Sequence, residues 1–324
     1  VFVHYLLTLQ LKTNNKFELW WTFFGKPIRY ALEDFALVTG LNCKLAGERE
    51  WGNCRKEKRK SKQQVRGNGE IWKSLFGKLE KPTPESIVDM LNGKKCKDAL
   101  QRFRLALLLL VEGILCPTSK VTKIRPAVVE MLGDIEEFMK FPWGRESFLL
   151  TVQSVKAKVP YHYAEQESVA LQGFAHAMIL VTVCSCPAII GLPYVEDDME
   201  EVEVLVEEVL QSALDMKLLI NISTAKNLDQ RGQAKVKALL VEDRWLESVR
   251  FKETPDPAVD KMLALIAEEY PFELNTWTGG VTADEAKLQK PSPPRDAESS
   301  VHADSTDDET LIEEGLGYAK EPVR

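Results

Sequence analysis

Several groups of residues in this 324-residue chain are of types that do chemistry. The chain has six cysteines (Cys43, Cys54, Cys96, Cys116, Cys184 and Cys186) and four histidines (His4, His162, His176 and His302). A cysteine nucleophile needs a histidine to generate its thiolate and a third group to orient that histidine. Cys184-Ser185-Cys186, with His176 eight residues upstream, is the nearest approach to a ligand or redox set. Zinc sites space paired cysteines by two to four residues and need four ligands. A C-x-C pair inside an apolar run is therefore read as core thiols, and no metal or cofactor set is expected. Tyr161-His162-Tyr163 reads as a packing histidine between aromatics. Glu112 lies inside the apolar run LALLLLVEGIL, where a carboxylate must be paired, protonated or at a rim. An ion pair with Arg104 or Arg145 is expected there. RKEKRKSK packs six cations (Arg55, Lys56, Lys58, Arg59, Lys60, Lys62) and one acid into eight residues. Such a run either contacts phosphate, serves nuclear import or is simply a solvated loop. It has no interleaved aromatic, so it would read backbone charge and not bases. In FPWGRESF, Trp143 and Phe148 read as core. Trp143 and Arg145 are also candidates for a partner-binding surface.

The elements that must position these residues are helices for the most part. Apolar content of 44% and charged content of 28% are ordinary for a globular chain. The first residue is Val1, which reads as a chain that continues upstream. Thinly spread cysteines favour a reducing compartment. The net charge of −7 hides a split: residues 1–160 carry 28 Lys/Arg against 17 Asp/Glu, and residues 161–324 carry 14 against 32. A basic body could meet nucleic acid, an acidic partner or the chain's own acidic half. Residues 168–195 contain no charged side chain, yet Gly173, Gln172, His176 and Pro187 interrupt them and the flanks are acidic. A buried core helix is expected there, with no membrane partner.

Along the chain, residues 1–10 look helical, and residues 16–31 read as a hairpin turning at Gly25-Lys26-Pro27. Leu32, Phe35, Ala36 and Thr39 fall at helical spacing, and Gly40 sits where a C-cap glycine belongs. Thr83-Pro84-Glu85 is a helix start and Asn92-Gly93 its end. Further helices are expected over 97–115, 126–140, 143–159 and 165–184. An amphipathic one follows after Pro193, then segments around 230–250 and 257–270. From about Gly279 the composition is Pro-, Ser- and acid-rich, the signature of a disordered tail. The expected fold is mainly α, a helical bundle with one small β-hairpin. The domains are expected at 1–195, 196–278 (an acidic helical extension) and 279–324 (the tail).

The blocks ELWWTFFGKPIRYALEDFALVTGLNC, EIWKSLFG, RLALLLLVEGILCPTSKVTKI, FMKFPWGRESF and ALQGFAHAM resemble, in order and spacing, a plant domain of unknown function. The resemblance covers roughly residues 3–192 and lacks an upstream stretch. In that family the domain sits on the N-terminal side of transposon-derived proteins, many of which also carry a cysteine protease domain for ubiquitin-like modifiers of the SUMO type. Those proteases show His-Trp, then Asp, then Gln before Cys-Gly. No histidine here precedes Trp and no cysteine precedes Gly, so no protease activity is expected. Family members commonly place Ser at the position of Ala31, opposite the acid Asp34, as a capping box. Ala31 departs from that pattern. The resemblance implies a non-catalytic, nuclear interaction module that recognises a protein partner or positions an absent protease. The alternatives are a nucleic-acid-associated factor using residues 55–66 and a transposon remnant without activity.

Overall fold

The computed structural model describes residues 1–44, 69–79, 81–93, 98–118, 123–192, 202–215, 220–231, 236–237, 239, 251, 254 and 256–273. Helix α1 (Phe2–Thr8) leads into a segment that borders the hairpin: Thr22 N–H donates to Leu9 O at 3.1 Å and Leu11 N–H to Trp20 O at 2.8 Å. The hairpin itself pairs β1 (Leu19–Phe23) with β2 (Lys26–Tyr30). Phe23 stands opposite Lys26, so the turn is Phe24-Gly25 and not the expected Gly25-Lys26-Pro27. Both turn residues have positive φ (55° and 72°), the geometry that matches the twist of a two-residue hairpin. Pro27 lies inside β2 opposite Thr22. Thr22 sends its N–H away from β2, so the donor that Pro27 lacks would have faced away from β1.

Helix α2 (Leu32–Thr39) follows as the spacing predicts and ends on Gly40 at φ 62°, a left-handed cap that L side chains resist. Its start is half of a capping box. Ala31 N–H donates to Asp34 Oδ2 at 2.8 Å, but the Ala31 methyl can accept nothing in return.

Helices α3 (Glu70–Phe76), α4 (Pro84–Asn92) and α5 (Ala99–Leu109) come next. The Thr83 hydroxyl accepts from Ser86 N–H and the Ser86 hydroxyl accepts from Thr83 N–H, so α4 starts where the sequence predicts. The helix expected over 97–115 changes character midway. Leu110–Leu115 widens into a π-helical turn, closed by Cys116 N–H donating to Val111 O at 2.7 Å. The single helix expected over 126–140 is two, α6 (Pro126–Met131) and α7 (Ile135–Lys140). Asp134 accepts from Glu137 N–H and restarts the helix after Gly133.

Helix α8 (Trp143–Lys156) is followed by α9 (Pro160–Glu165) and α10 (His176–Ser185). The helix expected over 165–184 thus starts only at His176. A short 3-10 turn (Pro187–Ile190), α11 (Val202–Asp215), α12 (Ile222–Arg231) and α13 (Pro257–Ala267) complete thirteen α-helices and one hairpin among the described residues. The fold is mainly α, as expected. No described helix is long and apolar enough to cross a membrane, and α10 in the uncharged stretch has ten residues.

Two cores form. One joins α1, the hairpin, α2 and α10 around Trp21, Phe23, Tyr30, Phe35 and Val181, and takes in Val206 and Val209 of α11. The other joins α3 to α7 around Trp72, Ile87, Leu108, Val128 and Phe138. Helix α8 serves both: Trp143 lies in the second, while Phe148, Val152 and Val155 lie in the first. On the other side of the hairpin, Trp20 packs on Val259 and Met262 of α13.

Candidate functional site

The π-helical turn carries Glu112, fully buried. Its partner is Arg125, not the expected Arg104 or Arg145. Arg125 Nη2 and Nε reach Glu112 Oε1 at 2.6 and 2.7 Å, and Arg125 N–H donates to Oε2 at 3.2 Å. Burial pushes the Glu112 carboxyl up, against the opposing pull of Arg125. A second buried fork joins Arg29 to Asp34, with both bonds at 2.9 Å. A third carboxylate, Asp229 of α12, accepts from the Tyr5 hydroxyl and from Phe24 N–H at 2.7 Å, clasping the hairpin turn. These acids are held by fixed partners in the packed interior, and each has a structural task.

Four of the five blocks that carry the family resemblance meet at the start of α8. Gly144 N–H donates to Asn42 O at 3.1 Å, and the Asn42 side chain donates to Lys140 O at 2.9 Å. A Cβ on Gly144 would come within 2.7 Å of Leu41 Cβ and 2.9 Å of Asn42 O, so only glycine allows this approach. One turn along, the Ser147 hydroxyl donates to Leu115 O at 2.5 Å and accepts from Phe174 N–H at 3.1 Å. Gly173 fits there with its N–H donating to Pro117 O. Segments 40–43, 113–118, 141–148 and 171–174 are thus one packing junction.

Trp143 and Arg145, expected as candidates for a partner surface, are interior residues at 7% and 8% exposure. The Trp143 indole N–H donates to Phe138 O at 2.8 Å, and the Arg145 guanidinium lies 3.9 Å over the Phe251 ring. Their burial leaves no side chain to present to a partner. Cys43, Cys116, Cys184 and Cys186 are buried, and burial pushes each thiol up to about 12. Such thiols stay protonated at neutral pH and are poor nucleophiles. Among the described residues, no group of three or more His, Cys, Asp and Glu is placed to hold a metal. The basic run of Arg55, Lys56, Lys58, Arg59, Lys60 and Lys62 lies outside the described residues, as do Cys54 and Cys96.

The surface feature that sequence reasoning missed is the outer face of α5 and the π turn. Leu100, Phe103, Leu110 and Ile114 are between 44% and 50% exposed, with Leu107 nearly covered between them. The run that reads as core is therefore core on one face only: Leu105, Leu108 and Val111 point in, while Leu110 and Ile114 point out. The signal was present in the spacing, since 100, 103, 107, 110 and 114 alternate steps of three and four. Beside Ile114 opens a groove of about 580 Å³, lined in part by Val3, His4, Leu171 and His176. Four half-exposed apolar side chains in a row, beside a groove, can bind an apolar helical surface.

No curated protein and no solved structure matches the chain. Residues 7–154, which include the hairpin, the junction's first three segments and the exposed α5 face, match the family model DUF1985, a domain of unknown function.

Proposed function

We propose that this chain is a non-catalytic, nuclear interaction module of a transposon-derived plant protein, and that it binds a protein partner through the outer face of α5 and the π turn. The observation that carries this reading is the apolar row Leu100, Phe103, Leu110 and Ile114, about half exposed on a helix whose other face builds a core. Contiguous apolar patches of a few hundred Å² commonly mark interaction sites. The plant and transposon origin rests on the resemblance of the quoted blocks, and the non-catalytic role on buried thiols and on buried acids held by structural partners. Affinity capture from plant nuclear extract tests the reading. The full chain should recover a specific partner that the Phe103→Glu chain does not. Recovery of the same proteins by both, or of none, would sink it.

A second reading rests on the six cations of Arg55 to Lys62, in the basic half of the chain. In that reading the module associates with nucleic acid through residues 55–66. Binding to random duplex DNA should then weaken steeply with salt, and absence of binding at low salt removes the reading.

A further inference from the structure

We infer that the outer face of the hairpin, built on Trp20 and Leu11, is a docking groove for an amphipathic helix of a protein partner, and that α13 fills it in cis as a displaceable strap. The groove lies on the hairpin and not on the outer face of α5, so it stands apart from the interaction reading above.

The pleat of the hairpin creates the groove. Along β1, Leu19, Trp21 and Phe23 face the first core, and Trp20 faces the other way. Trp20 is nevertheless only 1% exposed, because Val259 and Met262 of α13 cover it. Leu11, held beside Trp20 by its N–H bond to Trp20 O, packs into the same cluster. The indole N–H donates to Glu18 Oε1 at 2.7 Å, so the ring needs no hydrogen bond from whatever fills the groove. A tryptophan that offers its apolar body in this way is a strong anchor for a partner.

The occupant states the chemistry of what fits. Val259, Met262, Leu263 and Ile266 stand at i, i+3, i+4 and i+7, the anchor pattern of a helix laid in an apolar groove. Asp260, Lys261, Ala264 and Ala267 on the other face are exposed. The helix begins at Asp256, whose carboxylate caps Ala258 N–H at 3.0 Å and also accepts from Asn14 N–H at 2.7 Å. Lys156 adds a favourable charge to that carboxylate. A partner helix that enters in the same way carries four apolar residues at these intervals and an acid at its N-cap.

Three features make α13 a strap and not part of either core. Its apolar cluster is separate from both cores. Within that cluster only Val259 and Met262 of α13 are buried, while Leu263 and Ile266 stay partly open. Leu11 and Trp20 lie inside the family domain, residues 7–154, and α13 lies outside it, so the groove belongs to the domain and its cover does not. Release of α13 therefore bares Trp20 and Leu11 without opening a core. A tethered helix meets its site at an effective concentration of about millimolar, so in place it holds off a free helix of equal affinity.

Fluorescence anisotropy of a labelled peptide of residues 255–268 against the full chain tests this. The parent chain should bind the peptide weakly, because its own α13 is in place. Met262→Glu in the chain should expel that helix and tighten peptide binding by about 10-fold or more. Asp256→Ala, which loosens the tether and touches neither apolar face, should act in the same direction. Adding Trp20→Ala to the Met262→Glu chain should abolish the gain, and a peptide carrying Met262→Glu should bind none of the chains. Phe103→Glu in the chain should leave peptide binding as it was. In the parent chain, the α13 amides should exchange faster than those of α2 and α5, through an opening that leaves both cores closed. Equal peptide affinity for the parent, Met262→Glu and Asp256→Ala chains overturns the inference. So does loss of α2 and α5 protection together with that of α13 in these two variants, since α13 would then be part of the fold and not a strap over it.

Discussion

Glu112 shows what a charged residue does inside an apolar run. Removing one member of a buried pair leaves the other charge stranded, so Arg125→Ala should destabilise the fold by about 3–5 kcal/mol. Glu112→Gln keeps the shape and a hydrogen-bonding oxygen and should cost less. Urea unfolding of the two variants checks the order. The sequence made the need for a partner plain but could not name it. Arg104, Arg125 and Arg145 are all within reach along the chain, and only the folded structure decides among them. The thiols allow a second test. In a Cys54→Ser, Cys96→Ser chain, the four buried cysteines should not react with a thiol reagent at neutral pH until the protein is unfolded. Fast labelling of any of them in the folded chain would show an exposed or activated thiol.

Helix boundaries were legible wherever a cap or a breaker stated them. Gly40 and the Thr83-Pro84 pair lie where local chemistry requires, Gly40 through its left-handed backbone, Thr83 through its capping hydroxyl and Pro84 through its fixed φ. The break between α6 and α7 does carry a local sign, Gly133-Asp134, whose carboxylate caps α7, although the apolar spacing runs on through it. The π turn was not legible, since no residue in Leu110–Leu115 announces it. Ala31 makes a prediction at this scale. Its backbone is already extended, as an N-cap requires, and Asp34 already accepts its N–H. Ala31→Ser should complete the box and raise stability by about 1 kcal/mol in denaturant unfolding. Docking of α13 should respond to acid. Asp256 accepts from Asn14 N–H at 2.7 Å and Ala258 N–H at 3.0 Å, and these bonds hold its carboxyl below the usual carboxylate range. A depressed folded pKa means that its contribution is present above the unfolded value and lost as pH falls through the folded one. Hydrogen exchange of the α13 amides should therefore quicken on strong acidification, and Asp256→Asn should remove that dependence.

At the scale of the molecule, the shared helix α8 joins the two cores into one cooperative unit. Phe148→Ala empties the first core and should cost about 3–5 kcal/mol. Because Trp143 on the same helix anchors the second core, amides of α5 and of α2 should lose protection together in native-state exchange. Protection lost in α2 alone would show that the cores open separately. The sequence marked Trp143 and Phe148 as core but not that they belong to different cores, since nothing in a helical pattern says that one helix will serve two. The hairpin has a bearing on this protein's fate at high concentration. β1 is bordered on its outer side by the chain after α1; among the described residues no strand pairs with the other edge of β2, and an unpaired strand edge is a template on which like strands from other molecules can stack. Pro27 interrupts that template beside the hairpin turn, since its position, which would donate outward, has no hydrogen to give. Strand-on-strand growth along this edge thereby loses a hydrogen bond at every added copy.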